Sequence, residues 1–369
     1  MRVFVTGATG LLGNTITRQL DADGHTVVAL VRNPPHSEIF DGLNVEFVQG
    51  DLTDLAGDVA NSSPDRIDQA IAGCDAVIHA AGFIHLGWTK MEQSMGVNVG
   101  GTHRIMRSCV RHDKKLVYVG TLNSIAVGTR EQPADETTPI DNAGGQIQSA
   151  YVVSKSVALS AVMAGVKQGL RAVVVHPGFM LGPWDWKPSS GQMMLELSVG
   201  WKPLCPAGGC SICDSRDVAA ATIRAIDYDG PSGRQFILAG ENWTYKKLWT
   251  VITRHFDRSP PIVAPGPIIR AIGGVWGDLV TKVTGNEGFL NTAAVAMSRQ
   301  FHWYSSERAK AELGYESRDA HESIQASVDW IRQRFIDIDP PTRAETPRFA
   351  DASCFPSGYD LPGTCGKQK

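Results

Sequence analysis

Three glycines near the start of the chain constrain its fold more than any other feature. The apolar run V-F-V-T predicts a strand over Arg2–Thr6, and Leu11–Asp21 is predicted to form a helix. The turn between them carries glycines at the spacing G-x2-G-x2-G, which allows a tight bend and lets backbone N–H groups approach a pyrophosphate. The turn therefore predicts a dinucleotide-binding site. We expect cofactor contacts from Gly7, Thr9, Gly10, Leu11 and Gly13.

Short β-rich runs alternate with helical stretches through the first half of the chain. Strands such as T-V-V-A-L-V over Thr26–Val31 are almost wholly apolar, which is typical of a parallel sheet covered on both faces. The predicted fold class is α/β: a Rossmann-like doubly wound parallel sheet with a smaller, mostly helical C-terminal substrate-binding part. Further strands are predicted at Val45–Val48, Ala76–His79, Lys115–Thr121, Arg171–His176 and Gln235–Leu238.

The composition of the sequence changes after His176, where proline, glycine and tryptophan become frequent. We assign residues 1–177 to the nucleotide-binding domain, with residues 213–239 returning to it through a helix that Asp217 is predicted to cap. Residues 178–212 and 240–336 form the predicted substrate-binding part. Residues 337–369 lack apolar periodicity and are predicted to be a loosely ordered tail.

The end of the second strand indicates which cofactor the chain prefers. Sites for NAD usually carry an acidic residue there, but this chain has Arg32, whose guanidinium suits a 2′-phosphate. NADP(H) is therefore favoured over NAD(H), the alternative being that Arg32 is a surface charge. Asp51 either accepts from the adenine amino group or caps a helix. Further cofactor contacts are predicted from Leu52, Ala80, Ala81, Pro177 and Gly178.

A tyrosine and a lysine one helical turn apart form the predicted catalytic pair. Tyr151 and Lys155 stand at i and i+4, so they share a helix face, and a neighbouring ammonium is expected to lower the pKa of the phenol. Both residues are also predicted to contact the cofactor. The second hydroxyl that holds the substrate oxygen is predicted to be Thr121, and Ser124 is its competitor.

The motifs together resemble the extended short-chain dehydrogenase/reductases, of the NAD-dependent epimerase/dehydratase superfamily. Within that group they are similar to the dihydroflavonol reductase and 3β-hydroxysteroid dehydrogenase branch. The matching pieces run from T-G-A-T-G-L-L-G through G-D-L-T-D, H-A-A-G, V-N-V-G-G-T-H and Y-V-V-S-K to H-P-G-F-M-L-G-P, and continue in D-S-R-D-V-A and W-Y-S-S-E-R-A-K-A-E-L-G-Y. The resemblance implies that Tyr151 is the proton donor in reduction and that Lys155 is its electrostatic partner and a ribose ligand. It also implies that Asn98 supports the active-site network. The family usually has serine where this chain has Thr121.

Apolar and aromatic residues are predicted to surround the substrate. We expect it to contact Phe83, Trp88, Asn123, Ser124, Met180 and Trp184. Such a lining favours an apolar or aromatic carbonyl or alcohol over a nucleotide sugar, whose diphosphate needs charged partners. The predicted activity is hydride transfer between NADP(H) and a carbonyl or secondary alcohol. A sugar epimerase or dehydratase and a non-catalytic NADP(H)-binding sensor are the alternatives.

Composition restricts the partners. The net charge is −3, which gives no reason to expect nucleic acid, and we predict a cytoplasmic protein without a signal peptide or membrane span. A small-molecule substrate is the expected partner, and a homodimer is an open alternative. Ile262–Val283 is predicted to be an amphipathic helix that packs on its own protein rather than on a membrane. Cys205, Cys210 and Cys213 lack a nearby fourth ligand, so no metal site is predicted and reduced thiols are expected.

Overall fold

The computed structural model describes residues 1–54, 65–140, 147–263, 276–279, 281–282 and 291–337. The strands among these residues are β1 (Arg2–Thr6), β2 (Thr26–Val31), β3 (Val45–Gln49), β4 (Ala76–His79), β5 (Lys115–Val119), β6 (Ala172–Pro177), β7 (Phe179–Leu181), β8 (Gly209–Asp214), β9 (Arg234–Leu238), β10 (Glu241–Thr244) and β11 (Phe301–His302). Seven of them form one parallel sheet in the order β3-β2-β1-β4-β5-β6-β9. This order confirms the predicted Rossmann-like doubly wound sheet.

Helices cover both faces of this sheet. The helices of the described residues include α1 (Leu11–Ala22), α2 (Arg66–Ala72), α3 (Met91–Ser94), α4 (Gly101–Arg111), α5 (Ala150–Lys167), α6 (Ser190–Val199), α7 (Ser215–Asp227), α8 (Tyr245–His255), α9 (Thr292–Met297), α10 (Glu307–Leu313) and α11 (Ala320–Ile331). One core cluster joins the sheet to α1, α7 and α10, and a second joins its other face to α2, α4 and α5. A π-helical turn, Met95–Gly100, separates α3 from α4.

A second, smaller sheet organises the C-terminal part. Strand β8 is its centre, pairing antiparallel with β10 and parallel with β7 and β11. A third core cluster packs this sheet against α6, α8 and α11. The C-terminal part therefore consists of helices packed around a small sheet. The sequence patterns did not predict this sheet, because its strands are short and lie far apart along the chain.

One predicted helix cap is wrong. Asp214, not Asp217, caps α7, since its buried carboxylate accepts from the Arg216 N–H at 2.8 Å. Asp217 lies in the first turn and accepts instead from the guanidinium of Arg318, at 2.7 Å. The prediction failed because the sequence did not show that Arg318 lies beside α7.

Helix α5 is the one helix of the described residues that is long and apolar enough to cross a membrane by length and composition alone. Its residues Ala158, Leu159 and Val162 are buried in the second core cluster, against the sheet. That packing is typical of a core helix.

The amphipathic helix predicted to begin at Ile262 does not begin there. Ile262 and Val263 are extended and exposed, and Val263 forms a bridge with Leu204. Residues 276–279 and 281–282 are helical, and the rest of the predicted helix lies outside the described residues. The predicted tail also lies outside them, except for Asp337.

Candidate active site

The glycine turn packs tightly against the end of β4. Gly7 has a φ of +74°, and a Cβ built on it would lie 2.8 Å from the Ala81 nitrogen. A Cβ on Gly13 would lie 2.1 Å from the Gly7 oxygen. Gly10 precedes α1 without a side-chain cap, so the first N–H groups of that helix are not capped by that residue. The backbone thus forms a cradle with the positive helix end towards an anion.

A chain of hydrogen bonds fixes the strand ends beneath this turn. The Ala81 N–H donates to Thr6 Oγ1 at 3.1 Å, and Thr6 Oγ1 lies 2.7 Å from His79 Nδ1. Thr102 Oγ1 donates to the Asn98 oxygen at 2.6 Å, so it accepts from His79 Nε2 at 3.1 Å. Burial lowers the pKa of His79 to about 3, so the ring is neutral with its proton on Nε2, and Nδ1 accepts from the Thr6 hydroxyl.

Arg32 and Asp51 occupy the edge of the site predicted for the adenosine. Arg32 follows β2 and its side chain is exposed. Asp51 Oδ1 accepts from the Thr53 N–H at 2.9 Å, which is the contact of a local turn cap. Leu52 is buried, and a Cβ on Gly101 would lie 3.0 Å from its Cβ. The adenine contact of Asp51 stays a prediction.

Lys155 is held by the end of β5. Its buried Nζ donates to the Val119 oxygen at 2.8 Å and lies 5.0 Å from the centroid of the Tyr118 ring. Burial lowers the pKa of Lys155 to about 8. A Cβ built on Gly82 would lie 3.8 Å from this ammonium, so the small residue keeps space beside it.

Tyr151 and Thr121 meet through their side-chain hydroxyls. Burial raises the pKa of Tyr151, and its hydrogen bond with Thr121 partly opposes that rise. The pKa of Tyr151 in the free protein is therefore shifted opposite to the direction predicted from the Lys155 ammonium, because burial dominates. The hydroxyl of the competitor Ser124 instead donates to the backbone carbonyl oxygen of Thr121, at 2.7 Å.

Asn98, buried in the π-helical turn, fixes the loop after β4. Its Oδ1 accepts from the Phe83 N–H at 2.7 Å, and its Nδ2 donates to the Phe83 oxygen at 3.0 Å. The same amide donates to Ser154 Oγ at 2.9 Å, and the Ser154 hydroxyl donates to the backbone carbonyl oxygen of Tyr151 at 3.1 Å. Sequence analysis did not assign Ser154 a role, although it lies within Y-V-V-S-K. Asn98 thus ties this loop to the helix of Tyr151.

His176 supports Thr121 from the neighbouring strand. Its Nδ1 lies 3.1 Å from the backbone carbonyl oxygen of Thr121, and its Nε2 lies 2.8 Å from the side-chain amide oxygen of Gln235. A Cβ on Gly120 would lie 2.6 Å from His176 Nδ1, so a glycine is needed before Thr121.

The residues after β6 also lie at the carboxyl edge of the sheet. Pro177 is buried as the last residue of β6, and the Gly178 N–H donates to the Leu238 oxygen at 3.0 Å. A Cβ on Gly178 would lie 2.6 Å from the Ser211 oxygen, so close packing against β8 requires glycine here. The cofactor contacts predicted for Pro177 and Gly178, and for Ala80 in the loop after β4, stay predictions.

The loop 83–88 lies directly over the start of α5. The Tyr151 N–H donates to the His85 oxygen at 3.2 Å, and the Phe83 and His85 rings are stacked. Trp88 donates its indole N–H to Thr292 Oγ1 at 2.9 Å, which joins this loop to the C-terminal part. The structure therefore brings Phe83 and Trp88 into the neighbourhood of Tyr151.

The other predicted substrate residues are more dispersed. The Asn123 N–H donates to Thr121 Oγ1 at 3.3 Å, so Asn123 adjoins the hydroxyl pair. Met180, on β7, is partly buried against the first core cluster. Trp184 packs instead under the guanidinium of Arg18 on α1, 5.0 Å from its ring centroid. Its predicted substrate contact has no support from these contacts.

The cysteines of the C-x4-C-x2-C pattern are separated by the strand that carries two of them. Cys210 lies in the third core cluster and Cys213 in the first, because residues three apart on β8 face opposite sides. Burial raises the pKa of both thiols. Within the described ranges, no group of three or more His, Cys, Asp and Glu side chains is placed to hold a metal ion.

The fold and site define a short-chain dehydrogenase/reductase of the extended type: a glycine-rich turn before the first helix, a hydroxyl residue after the fifth strand and a Tyr–Lys pair on the next helix. The sequence pattern of the NAD dependent epimerase/dehydratase family matches residues 3–239. The chain belongs to that family.

Similar proteins extend over nearly the whole chain. The "Putative dihydroflavonol 4-reductase" of Synechocystis sp. is 28% identical over 340 residues, which are 89% of this chain and 94% of that protein. Sterol demethylase protein B of Methylococcus capsulatus is 27% identical over 339 residues, which are 90% of this chain and 99% of that protein. The crystal structure of gox2253 has 29% identity and a TM-score of 0.76, covering 90% of this chain and 98% of that one. These similarities support an enzyme of the oxidoreductase and epimerase type that uses a nicotinamide nucleotide.

Proposed function

We propose that this protein is an NADP(H)-dependent oxidoreductase that interconverts a carbonyl and a secondary alcohol on a largely apolar or aromatic small molecule. The observation that carries the proposal is the proximity of the Thr121 hydroxyl to the buried Tyr151, with Lys155 one turn further along α5. Two hydroxyls that meet in this way can both donate to one substrate oxygen.

The residues fit the cofactor. The turn of Gly7, Gly10 and Gly13 ends at the N-terminus of α1, whose first N–H groups can bind a pyrophosphate, and the exposed Arg32 offers paired donors to a 2′-phosphate. Lys155, buried beside Gly82, is proposed to donate to the ribose hydroxyls. When bound, the nicotinamide supplies or accepts the hydride.

The protonation states favour reduction near neutral pH. Because burial raises its pKa, Tyr151 holds its proton and can donate it. As the carbonyl carbon gains a hydride, the developing alkoxide takes the phenol proton, while Thr121 holds the same oxygen. Lys155, with a pKa of about 8, is cationic at pH 7 and stabilises the tyrosinate that remains. The reverse sequence oxidises an alcohol.

The substrate class rests on the loop over α5 and on the relatives. Phe83 and Trp88 lie on the loop over the start of the Tyr151 helix, and such apolar side chains favour an apolar or aromatic substrate. Vestitone reductase of Medicago sativa, 27% identical over 63% of this chain and 75% of that protein, is named for the reduction of vestitone. We place the enzyme in the cytoplasm, which the buried free thiols support.

A substrate panel with one variant tests the proposal. Aromatic, aliphatic and steroid ketones are incubated with NADPH, and turnover is followed by its absorbance. Tyr151→Phe should lower kcat/KM about 10²–10⁴-fold, the usual contribution of general acid catalysis, with NADPH affinity nearly unchanged.

The matched control is Tyr228→Phe, which removes a hydroxyl that donates to Glu312 on another surface and should leave kcat/KM unchanged. Tyr151→Phe that keeps more than about a tenth of kcat/KM would rule out Tyr151 as the proton donor. Activity on nucleotide sugars alone would support the epimerase alternative, and absence of turnover on every substrate would support the sensor.

A further inference from the structure

Two segments of the C-terminal part form a ribbon that is distant in sequence from the catalytic helix. The Ile262 N–H donates to the Pro203 oxygen at 2.9 Å, and the Cys205 N–H donates to the Val263 oxygen at 3.3 Å. The Trp201 indole donates to the Pro260 oxygen at 3.3 Å. We call residues 198–204 and 258–263, held together by these bonds, the apolar ribbon.

Large apolar side chains of the apolar ribbon are exposed to solvent. The exposed fractions are 60% for Val199, 53% for Trp201, 44% for Leu204, 61% for Ile262 and 53% for Val263. Every residue from 201 to 204 is exposed, on successive positions that face different directions, so this part projects from the body of the protein. A soluble protein rarely exposes such a cluster without a binding partner.

The charges of the apolar ribbon are all positive. Lys202 and Arg258 are exposed and no acidic residue occurs in 198–204 or 258–263, while the exposed Asp257 directly precedes Arg258. Arg258 is fixed at the base, where its Nε donates to the Ser198 oxygen at 3.0 Å. This local charge is opposite in sign to the net charge of −3 of the whole chain. A tryptophan with apolar neighbours and flanking cations is the composition that inserts at an anionic lipid interface.

We propose that the apolar ribbon binds the protein peripherally to an anionic lipid surface. A projecting ribbon can insert its side chains among lipid headgroups, whereas a stable contact with a second copy needs about 800 Å² on each partner and therefore a broader face. The same attachment would bring the enzyme to substrates that partition into lipid. Sequence analysis favoured packing on the protein itself for the segment that begins at Ile262, and the exposure of Ile262 and Val263 argues against that reading for these two residues.

Vesicle sedimentation of the full chain tests the proposal. The protein is mixed with vesicles of phosphatidylcholine, or of phosphatidylcholine with phosphatidylglycerol, and the bound fraction is measured at low and high salt. Wild type should bind the phosphatidylglycerol vesicles more tightly, and salt should weaken that binding. Trp201→Ser with Ile262→Ser should weaken binding to both vesicles, by about tenfold or more for each side chain. Lys202→Gln should weaken only the anionic binding, about fivefold.

The control variant is Phe47→Ser with Val110→Ser, which removes an aromatic and an aliphatic side chain that are exposed elsewhere. Its vesicle binding should match wild type, and NADPH affinity should be unchanged in the folded variants. The proposal is overturned if wild type does not bind vesicles, or if Trp201→Ser with Ile262→Ser binds them as wild type does. Loss of a dimer in the ribbon variant, with vesicle binding retained, would assign the apolar ribbon to a second copy of the chain.

Discussion

Replacing Lys155 by methionine should leave the free protein as stable or more stable at neutral pH while removing its activity. The ammonium of Lys155 is buried, and that burial lowers its pKa from 10.5 to about 8. At pH 7 the lysine is charged in both the folded and the unfolded chain, so the folded state bears the whole cost of desolvating that charge. A shift of this size corresponds to about 3 kcal/mol of unfolding free energy.

Methionine fills a similar unbranched volume without a charge, so Lys155→Met recovers that cost. It also removes the donor to the Val119 oxygen, which costs about 1–3 kcal/mol when a buried acceptor is left unpaired. The net expectation at pH 7 is a gain of about 1 kcal/mol, within a range of about 0–2.

The dependence on pH separates this explanation from a simple packing effect. Between pH 8 and 10.5 the unfolded chain keeps the Lys155 proton that the folded chain has released, so wild-type stability rises with pH across this window. The variant has no such group, and wild type should therefore become the more stable protein near pH 10, where most of the roughly 3 kcal/mol has been recovered.

Urea unfolding of the cofactor-free proteins at pH 7 and near pH 10 measures which of the two, wild type or variant, is the more stable at each pH. Lys187→Met, at an exposed lysine, makes the same chemical change and should shift stability little at either pH. If Lys155→Met were less stable than wild type by the same amount at both pH values, the buried charge would not be the cause.

Three further outcomes are expected. Arg32→Asp should weaken NADPH much more than NADH, by about 1.5–3 kcal/mol for a charge-assisted bond, and equal losses in fluorescence titrations would make Arg32 a surface charge. Gly13→Ala places a Cβ 2.1 Å from the Gly7 oxygen, so it should weaken both cofactors and cost about 1–3 kcal/mol in urea unfolding; wild-type affinity would contradict the cradle. Burial lowers the pKa of His79 to about 3 and that of His176 to about 4, so the unfolded chain takes up protons below pH 6.5 that the folded chain does not. Stability should fall between pH 6.5 and 4, by about 3 kcal/mol for His176 alone, and should fall less in His176→Gln; an equal fall would contradict the assignment.

Local patterns predicted the large sheet. Each strand of that sheet was visible as an apolar run, and the observed bounds differ from the predicted ones by at most two residues, as at the end of Lys115–Thr121. The glycine turn was also predictable, because a backbone that passes so close to its neighbours leaves no room for a Cβ at Gly7 or Gly13. The small sheet was not predicted, since β11 has two residues and pairs with β8 about 90 residues earlier.

Contacts between distant parts of the chain set the limits of prediction within the site. The sequence placed Tyr151 and Lys155 on one helix face, but it could not show that the ammonium of Lys155 would be directed to Val119. The direction predicted for the Tyr151 pKa was wrong because burial of the phenol raises it. Trp184 was grouped with the substrate residues by its type alone, whereas its ring lies against Arg18, about 170 residues earlier.

The π-helical turn Met95–Gly100 has a consequence for insertions and deletions in this helix. A turn with i→i+5 bonding holds one residue more than a regular helix, so side chains before it are rotated by about 100° relative to those after it. Deleting Val99 or Gly100 would restore a continuous α-helix and keep Thr102 beside His79, but it would carry Asn98 out of phase with Phe83. The hydrogen bonds by which Asn98 holds Phe83, in the loop over Tyr151, therefore depend on the number of residues in this turn as much as on the identity of Asn98.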